Sequence, residues 1–417
     1  MNFTGKIPEC TGDLCAFVER LCDQIDAVEL RILALLPETG RRERLLSDAR
    51  RLCAEYPDPA KRPPLFGIPV GIKDLYHADG FETRAGSRLP PEALAGREGP
   101  AVKRLKKAGA LIVGKTVTTE FAYFSPGPTC NPHNIAHTPG GSSSGSAAAV
   151  AAGECALALG TQTIGSVTRP AGYCGIFGFK PSLGRMTTCG VIPFSRRVDQ
   201  PGFFAPDMAG ILRGARVLIP RWHKIFPAPV RPLTLGIPGG PFLAQADETV
   251  RGFFEQQLQK LENLGHKIVH LDLFPDIARI GAFHRALTAV DIAKAHARLF
   301  RLYEPLYSEA TRTLILNGQT ADDTGANASM AELRARMDEA MARRGLDLWL
   351  SPAATSPAPE GIAATGSPLM SLPFTHAGVP TLAVPAGKTR SGLPLGLQFA
   401  GRFGQDEVFL SCMAALP

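Results

Sequence analysis

The chain has 417 residues, 45% hydrophobic and 20% charged, and a formal net charge of +7 from 45 basic and 38 acidic side chains. That length and apolar share suffice for a large buried core. No uncharged apolar run reaches the length that crosses a bilayer, which excludes a membrane-spanning helix and leaves no membrane partner to expect.

Residues 11–36 read as an amphipathic helix with Leu14, Phe17, Val18, Leu21, Ile25 and Val28 on one stripe, and a second helix is expected over 41–54. The opening MNFTGKIPEC lacks the charged-then-apolar pattern of a secretory leader. Nine cysteines, an odd number, form no CxxC pair, so reduced thiols and a cytoplasmic setting are expected. After Pro63-Pro64, Gly67 to Ile72 reads as a buried strand ending at Lys73. Pro100 to Lys107 is a helix with Pro in its first turn, followed by a strand at Ala110-Leu111-Ile112-Val113. Gly109 to Thr116 fits GxxxxGK[ST], yet its four middle residues are strand formers and the helix precedes them, so no phosphate loop is expected. The basic clusters at Arg41–Arg51 and Lys103–Lys107 are interleaved with apolar residues at helical spacing. They read as solvated helix faces, and no nucleic-acid partner is expected.

From Thr138 to Pro181 the chain concentrates small residues. Gly140-Gly141-Ser142-Ser143-Ser144-Gly145-Ser146 leads into Ala147 to Gly153, which has helix propensity. Cys155 to Leu159 has strand length, and Gly160 to Ser166 breaks it. A flexible linker would not alternate with such blocks, nor be followed by Cys174, Ile176, Phe177 and Phe179. Further on, Leu233 to Ile237, a helix opened by Asp247 and Thr249, and Lys267 to Leu271 form a strand–helix–strand unit. Helices are expected near 278–315 and 329–344, a loop over Asn317 to Asn327, and a strand at Leu346 to Leu350.

No HExxH or paired Cys/His set appears, so no metal site is expected, and a Ser-His hydrolase elbow is not expected either. His133 and His137 flank the serine run and are the second choice of base. A lysine closing an apolar strand, where burial lowers its pKa, can serve instead. The plainer reading of Lys73 pairs it with neighbouring Asp74.

Three blocks carry a resemblance: Leu65 to Asp74, the Thr138-to-Pro181 stretch, and Ser367 to Gly401 with Gly378-Val379-Pro380 and Gly392-Leu393-Pro394-Leu395-Gly396-Leu397-Gln398. Together they resemble the amidase signature family, serine hydrolases that cleave amides. Ser142 and Ser166 stand twenty-four residues apart, the family's spacing for its bridging serine and its nucleophile. The resemblance implies one α/β domain over 1–417, with a mixed, twisted central sheet covered by helices on both faces. Within it, 1–60 supplies wrapping helices, 61–215 the catalytic core, 216–350 a variable region, and 351–417 the rest of the core.

It implies Ser166 as nucleophile, Ser142 as a bridging serine at a cis peptide, and Lys73 as base. It places the oxyanion hole at the backbone of Thr163, Ile164, Gly165 and Ser166, with Ser143 as a supporting hydrogen-bond partner. The sequence departs from the family pattern at Gln162, where Asp is usual, at Ile164, where a Gly is frequent, and at Arg169, one position later than usual. The implied reaction is cleavage of an amide or carbamate C–N bond through an acyl-enzyme, without cofactor or metal, on a small-molecule substrate. Two alternatives stand beside it: the glutaminase subunit of a tRNA-dependent amidotransferase, and a non-catalytic scaffold.

Overall fold

The computed structural model describes residues 13–222, 229 and 231–416, so the first two residues of the expected 11–36 helix and the chain's opening decapeptide lie outside it. Among the described residues ten strands form one sheet: β1 (Pro69–Lys73), β2 (Leu111–Thr116), β3 (Leu157–Gln162), β4 (Phe177–Lys180), β5 (Gln200–Ala205), β6 (Thr234–Pro238), β7 (Lys267–Leu271), β8 (Leu348–Pro352), β9 (Thr381–Lys388) and β10 (Pro394–Ala400). Their spatial order is β2-β1-β3-β5-β4-β9-β10-β8-β6-β7. β1 is parallel to β2 and β3, and β6 to β7 and β8. The pairings between these two parallel groups are antiparallel, so the sheet is mixed, as expected.

Side-chain alternation shows that both faces are buried. On β5, Phe203 packs into one apolar layer with Leu159 and Phe179, while Phe204 enters the opposite layer with Ala158 and Ala383. Full burial of each such ring contributes about 1.5–3 kcal/mol. The first layer is covered by the helices Pro100–Lys107, Met208–Leu218, Glu248–Asn263 and Asp406–Met413. The other is covered by Leu14–Ile32, Ser144–Ala151 and Thr168–Cys174, and further along by Ala326–Arg344 and Leu372–Ala377. Small residues let the Thr168–Cys174 helix lie close to the strands. A Cβ at Gly172 would sit 2.9 Å from Ala353 Cβ, and one at Gly396 would sit 2.9 Å from Gly172 Cα.

The register of β1 on β3, Val70 opposite Leu157 and Ile72 opposite Leu159, brings both carboxyl ends to one edge. Lys73 closes β1 there, and Gln162 closes β3 just before Thr163 to Ser166. Among the described residues no helix is long and apolar enough to cross a membrane.

Candidate active site

Lys73 is fully buried, and its Nζ lies 2.7 Å from Ser142 Oγ, 2.9 Å from Ser143 Oγ and 2.8 Å from Thr161 Oγ1. Asp74 turns away and pairs with Lys115 at 2.6 Å, so the neighbour pairing expected from the plainer reading does not form. Burial drives the Lys73 pKa well below the usual lysine value, while the charge of Asp199 pulls it back up. A neutral amine has two N–H donors and one lone pair. Ser143 already donates its hydroxyl proton to Thr161 O and accepts the Thr161 N–H, both at 3.3 Å, so toward Lys73 it accepts. With Thr161 Oγ1 taking the other N–H, the lone pair of the amine in its neutral form faces Ser142 O–H.

Ser142 follows a cis peptide from Gly141, and a Cβ on Gly141 would lie 2.6 Å from Thr365 Cγ2. Ser143 precedes the Ser144–Ala151 helix, the alanine run that composition marked as helical. Ser142 and Ser166 line one cleft, walled by Tyr123, Phe124, Ile164 and Phe194. The Tyr123 wall is clipped to the helix Glu309–Thr320, because the Glu120 carboxylate accepts the Ser308 N–H at 3.0 Å and the Thr311 hydroxyl at 2.5 Å.

The three departures from the family pattern each have a structural account. Gln162 Oε1 accepts the amides of Val167 and Thr168 at 2.8 and 3.0 Å, and its Nε2 donates to Thr375 Oγ1 at 2.9 Å. An amide thus caps the start of the Thr168–Cys174 helix and donates as well, which a carboxylate cannot do. Arg169 Nη2 donates to Gly141 O at 2.6 Å and Thr365 Oγ1 at 3.1 Å, holding the carbonyl just before Ser142. Burial lowers the Arg169 pKa to about 10, so it stays charged at neutral pH. Ile164 adds an apolar wall to the cleft.

Sequence reasoning missed Thr161 and Asp199. Asp199 is buried, accepts the Thr163 hydroxyl at 2.6 Å and the amides of Phe194 and Ser195 at 2.8 and 2.9 Å, and has its pKa raised to about 6 by burial. Thirty-six positions separate it from Thr163, and no local pattern marks it. The second-choice bases are placed elsewhere: His133 Nε2 meets Cys174 O at 2.9 Å and His137 Nδ1 meets Ala358 O at 2.8 Å. Both tie loops to backbone carbonyls.

The phosphate-loop pattern is strand, with Leu111–Thr116 all buried. Its Lys115 is committed to Asp74 and to Thr83 Oγ1 at 3.2 Å. Asp74→Ala would leave the Lys115 charge buried without a counter-ion. We expect a loss of about 3–5 kcal/mol, read as a lowered midpoint in urea unfolding; an unchanged midpoint contradicts this.

Residues 16–410 match the family model described as Amidase. The chain belongs to the amidase family. Curated relatives of this amidase include a glutamyl-tRNA(Gln) amidotransferase subunit of Synechococcus sp. (strain WH7803), 30% identical over 93% of this chain and 90% of that protein. The same-named protein of Myxococcus xanthus (strain DK1622) is 33% identical over 85% of this chain and 83% of its own length. Among solved structures, a crystal structure of an amidase superposes with a TM-score of 0.86 at 30% identity, covering 97% of this chain and 95% of that one. The peptide amidase PAM in complex with the competitive inhibitor chymostatin superposes with a TM-score of 0.80 at 26% identity, over 97% and 93% of the two chains.

These names correct one expectation. A small-molecule substrate with no nucleic-acid partner does not accord with curated relatives that are amidotransferase subunits named for a tRNA.

Proposed function

We propose that this amidase cleaves a carboxamide C–N bond through an acyl-enzyme on Ser166. Ser142 relays the nucleophile's proton to Lys73 and returns it to the departing nitrogen, and the Thr163-to-Ser166 backbone holds the oxyanion. The observation that carries this reading is the buried Lys73 amine, 2.7 Å from Ser142 Oγ and, among the described residues, bonded to hydroxyls and to no carboxylate, beside a cleft that Ser142 shares with Ser166. Burial favours the neutral amine, the form that can accept a proton.

The relatives' names favour glutamine as the amide, with ammonia passed to an acceptor as in a tRNA-dependent amidotransferase; 30% identity over about nine tenths of both chains supports that setting. A second reading, an aryl amide or carbamate as substrate, is favoured by the apolar wall of Tyr123, Phe124, Ile164 and Phe194. Ammonia release from glutamine, measured beside p-nitroaniline release from p-nitroacetanilide and from an alkyl N-(4-nitrophenyl)carbamate, decides between them. Faster turnover of glutamine supports the amidotransferase setting, and faster turnover of the aryl substrates supports the second reading. No Ser166-dependent release from any of the three overturns the hydrolase reading.

A further inference from the structure

Two histidines from distant parts of the chain lie behind the loop that carries Ser166. His284 is on the long helix Ile277–Tyr303 and His376 on the short helix Leu372–Ala377, and both are fully buried. His284 Nε2 is 2.9 Å from Thr163 O, the two Nδ1 atoms are 3.2 Å apart, and His376 Nε2 is 3.1 Å from Ser329 Oγ on the helix Ala326–Arg344. The chain of bonds allows one proton arrangement. A carbonyl only accepts, so His284 carries its proton on Nε2 and its Nδ1 is bare. His376 must then carry its proton on Nδ1, and its bare Nε2 accepts from the Ser329 hydroxyl. Burial keeps both rings neutral, with pKa values lowered to about 3 and about 4, as this arrangement requires.

The residue beside His376 completes the pattern. Thr375 Oγ1 donates to Ile164 O at 2.6 Å, so consecutive carbonyls of the loop, Thr163 and Ile164, are both held from behind. In a planar trans peptide the N–H points opposite to the C=O. The carbonyl of Thr163 shares its peptide unit with the Ile164 N–H, and that of Ile164 with the Gly165 N–H. Fixing the two carbonyls toward the helices therefore aims the two amides toward the opposite side, and Ile164, Gly165 and Ser166 all line the cleft.

We propose that His284, with its tautomer fixed by His376, is a positioning residue that sets the direction of the Ile164 amide, as Thr375 sets that of Gly165. This rests on the reading of Ser166 as an acylated nucleophile. It assigns a role to the region around 278–344, which lies outside the three blocks that carry the resemblance: that region braces the oxyanion loop from behind.

The test uses the difference in reach between glutamine and asparagine. The Nε2 of Gln at 284 can replace the histidine Nε2 and donate to Thr163 O, whereas Asn reaches only to the Nδ1 position. In the full chain, His284→Asn is expected to slow modification of Ser166 by a fluorophosphonate by about 10- to 100-fold, in the modification rate constant and not in the saturation constant, with His284→Gln within about threefold of the wild type. Amide hydrogen exchange in the peptide spanning 160–168 is expected to accelerate in His284→Asn and stay slow in His284→Gln, with all melting temperatures similar. His376→Asn, which can still donate to His284 Nδ1, covers the case in which a substitution at 284 fails to fold. It is expected to keep exchange slow, whereas His376→Leu accelerates it. Wild-type exchange and modification rates in His284→Asn, or His284→Gln as impaired as His284→Asn, overturn the proposal. Exchange reads the brace without any chemistry, so a wild-type chain that the probe leaves unmodified counts against the nucleophile assignment, and the exchange result alone then judges the brace.

Discussion

Replacing Ser166 by alanine is expected to abolish amide turnover, by about 10⁴- to 10⁶-fold in kcat, while the melting temperature stays within a few degrees. Ser166 lines the cleft two residues before the Thr168–Cys174 helix, and its substitution deletes one oxygen from a nearly buried site. The surrounding network does not depend on that oxygen. Gln162 caps the helix, Arg169 holds Gly141 O, and Asp199 anchors Thr163. The variant should therefore bind ligand and fold normally but form no acyl-enzyme. Turnover above about one hundredth of wild type would place the nucleophile elsewhere, because loss of an attacking group costs far more than that.

Replacing Lys73 is expected to have the second-largest effect, and it carries a pH signature. Lys73→Met keeps the length and the apolar packing but removes the proton acceptor, and kcat should fall by about 10³-fold. Only the neutral amine accepts a proton, so wild-type kcat/KM should be low where Lys73 is charged and climb to a plateau as pH rises through its pKa. Burial places that midpoint well below the ordinary lysine range. The charge of Asp199 favours the ammonium form, so Asp199→Asn should shift the rising limb to lower pH. Lys73→Met should lose the limb altogether, and His133→Ala and His137→Ala should keep it. A limb that persists in Lys73→Met and vanishes in a histidine variant would contradict the assignment.

Much of the site was legible because its chemistry lies in short contiguous blocks. Lys73 ends a readable apolar strand, and Ser142, Ser143 and Ser166 sit in one glycine-rich stretch. The structure brings Lys73 to the first two and places Ser142 and Ser166 on one cleft. The helix Pro100–Lys107 and the strand Lys267–Leu271 begin and end as their composition predicts.

What could not be read depends on partners distant in the chain. β3 was expected to stop at Leu159, yet it runs to Gln162 because the glycine and threonine after it pair with Gly202 and Pro201 of β5. The stretch Asn317 to Asn327 was expected to be loop, but Glu309–Thr320 continues as helix through Gly318. There the absent side chain matters, since a Cβ would lie 1.9 Å from Ala289 O of the neighbouring helix. Asp199, His284 and Thr375 reach the Thr163-to-Ser166 loop only through tertiary contacts, and nothing adjacent to them in sequence signals it.

The most direct test of the acyl-enzyme account is peptide mapping by mass spectrometry after brief exposure of the full chain to a fluorophosphonate. The account predicts one adduct per chain, on Ser166, formed faster as pH rises through the Lys73 midpoint and absent from Ser166→Ala. An adduct on Ser142 or Ser143, or one that forms on Ser166 at an unchanged rate in Lys73→Met, would contradict it.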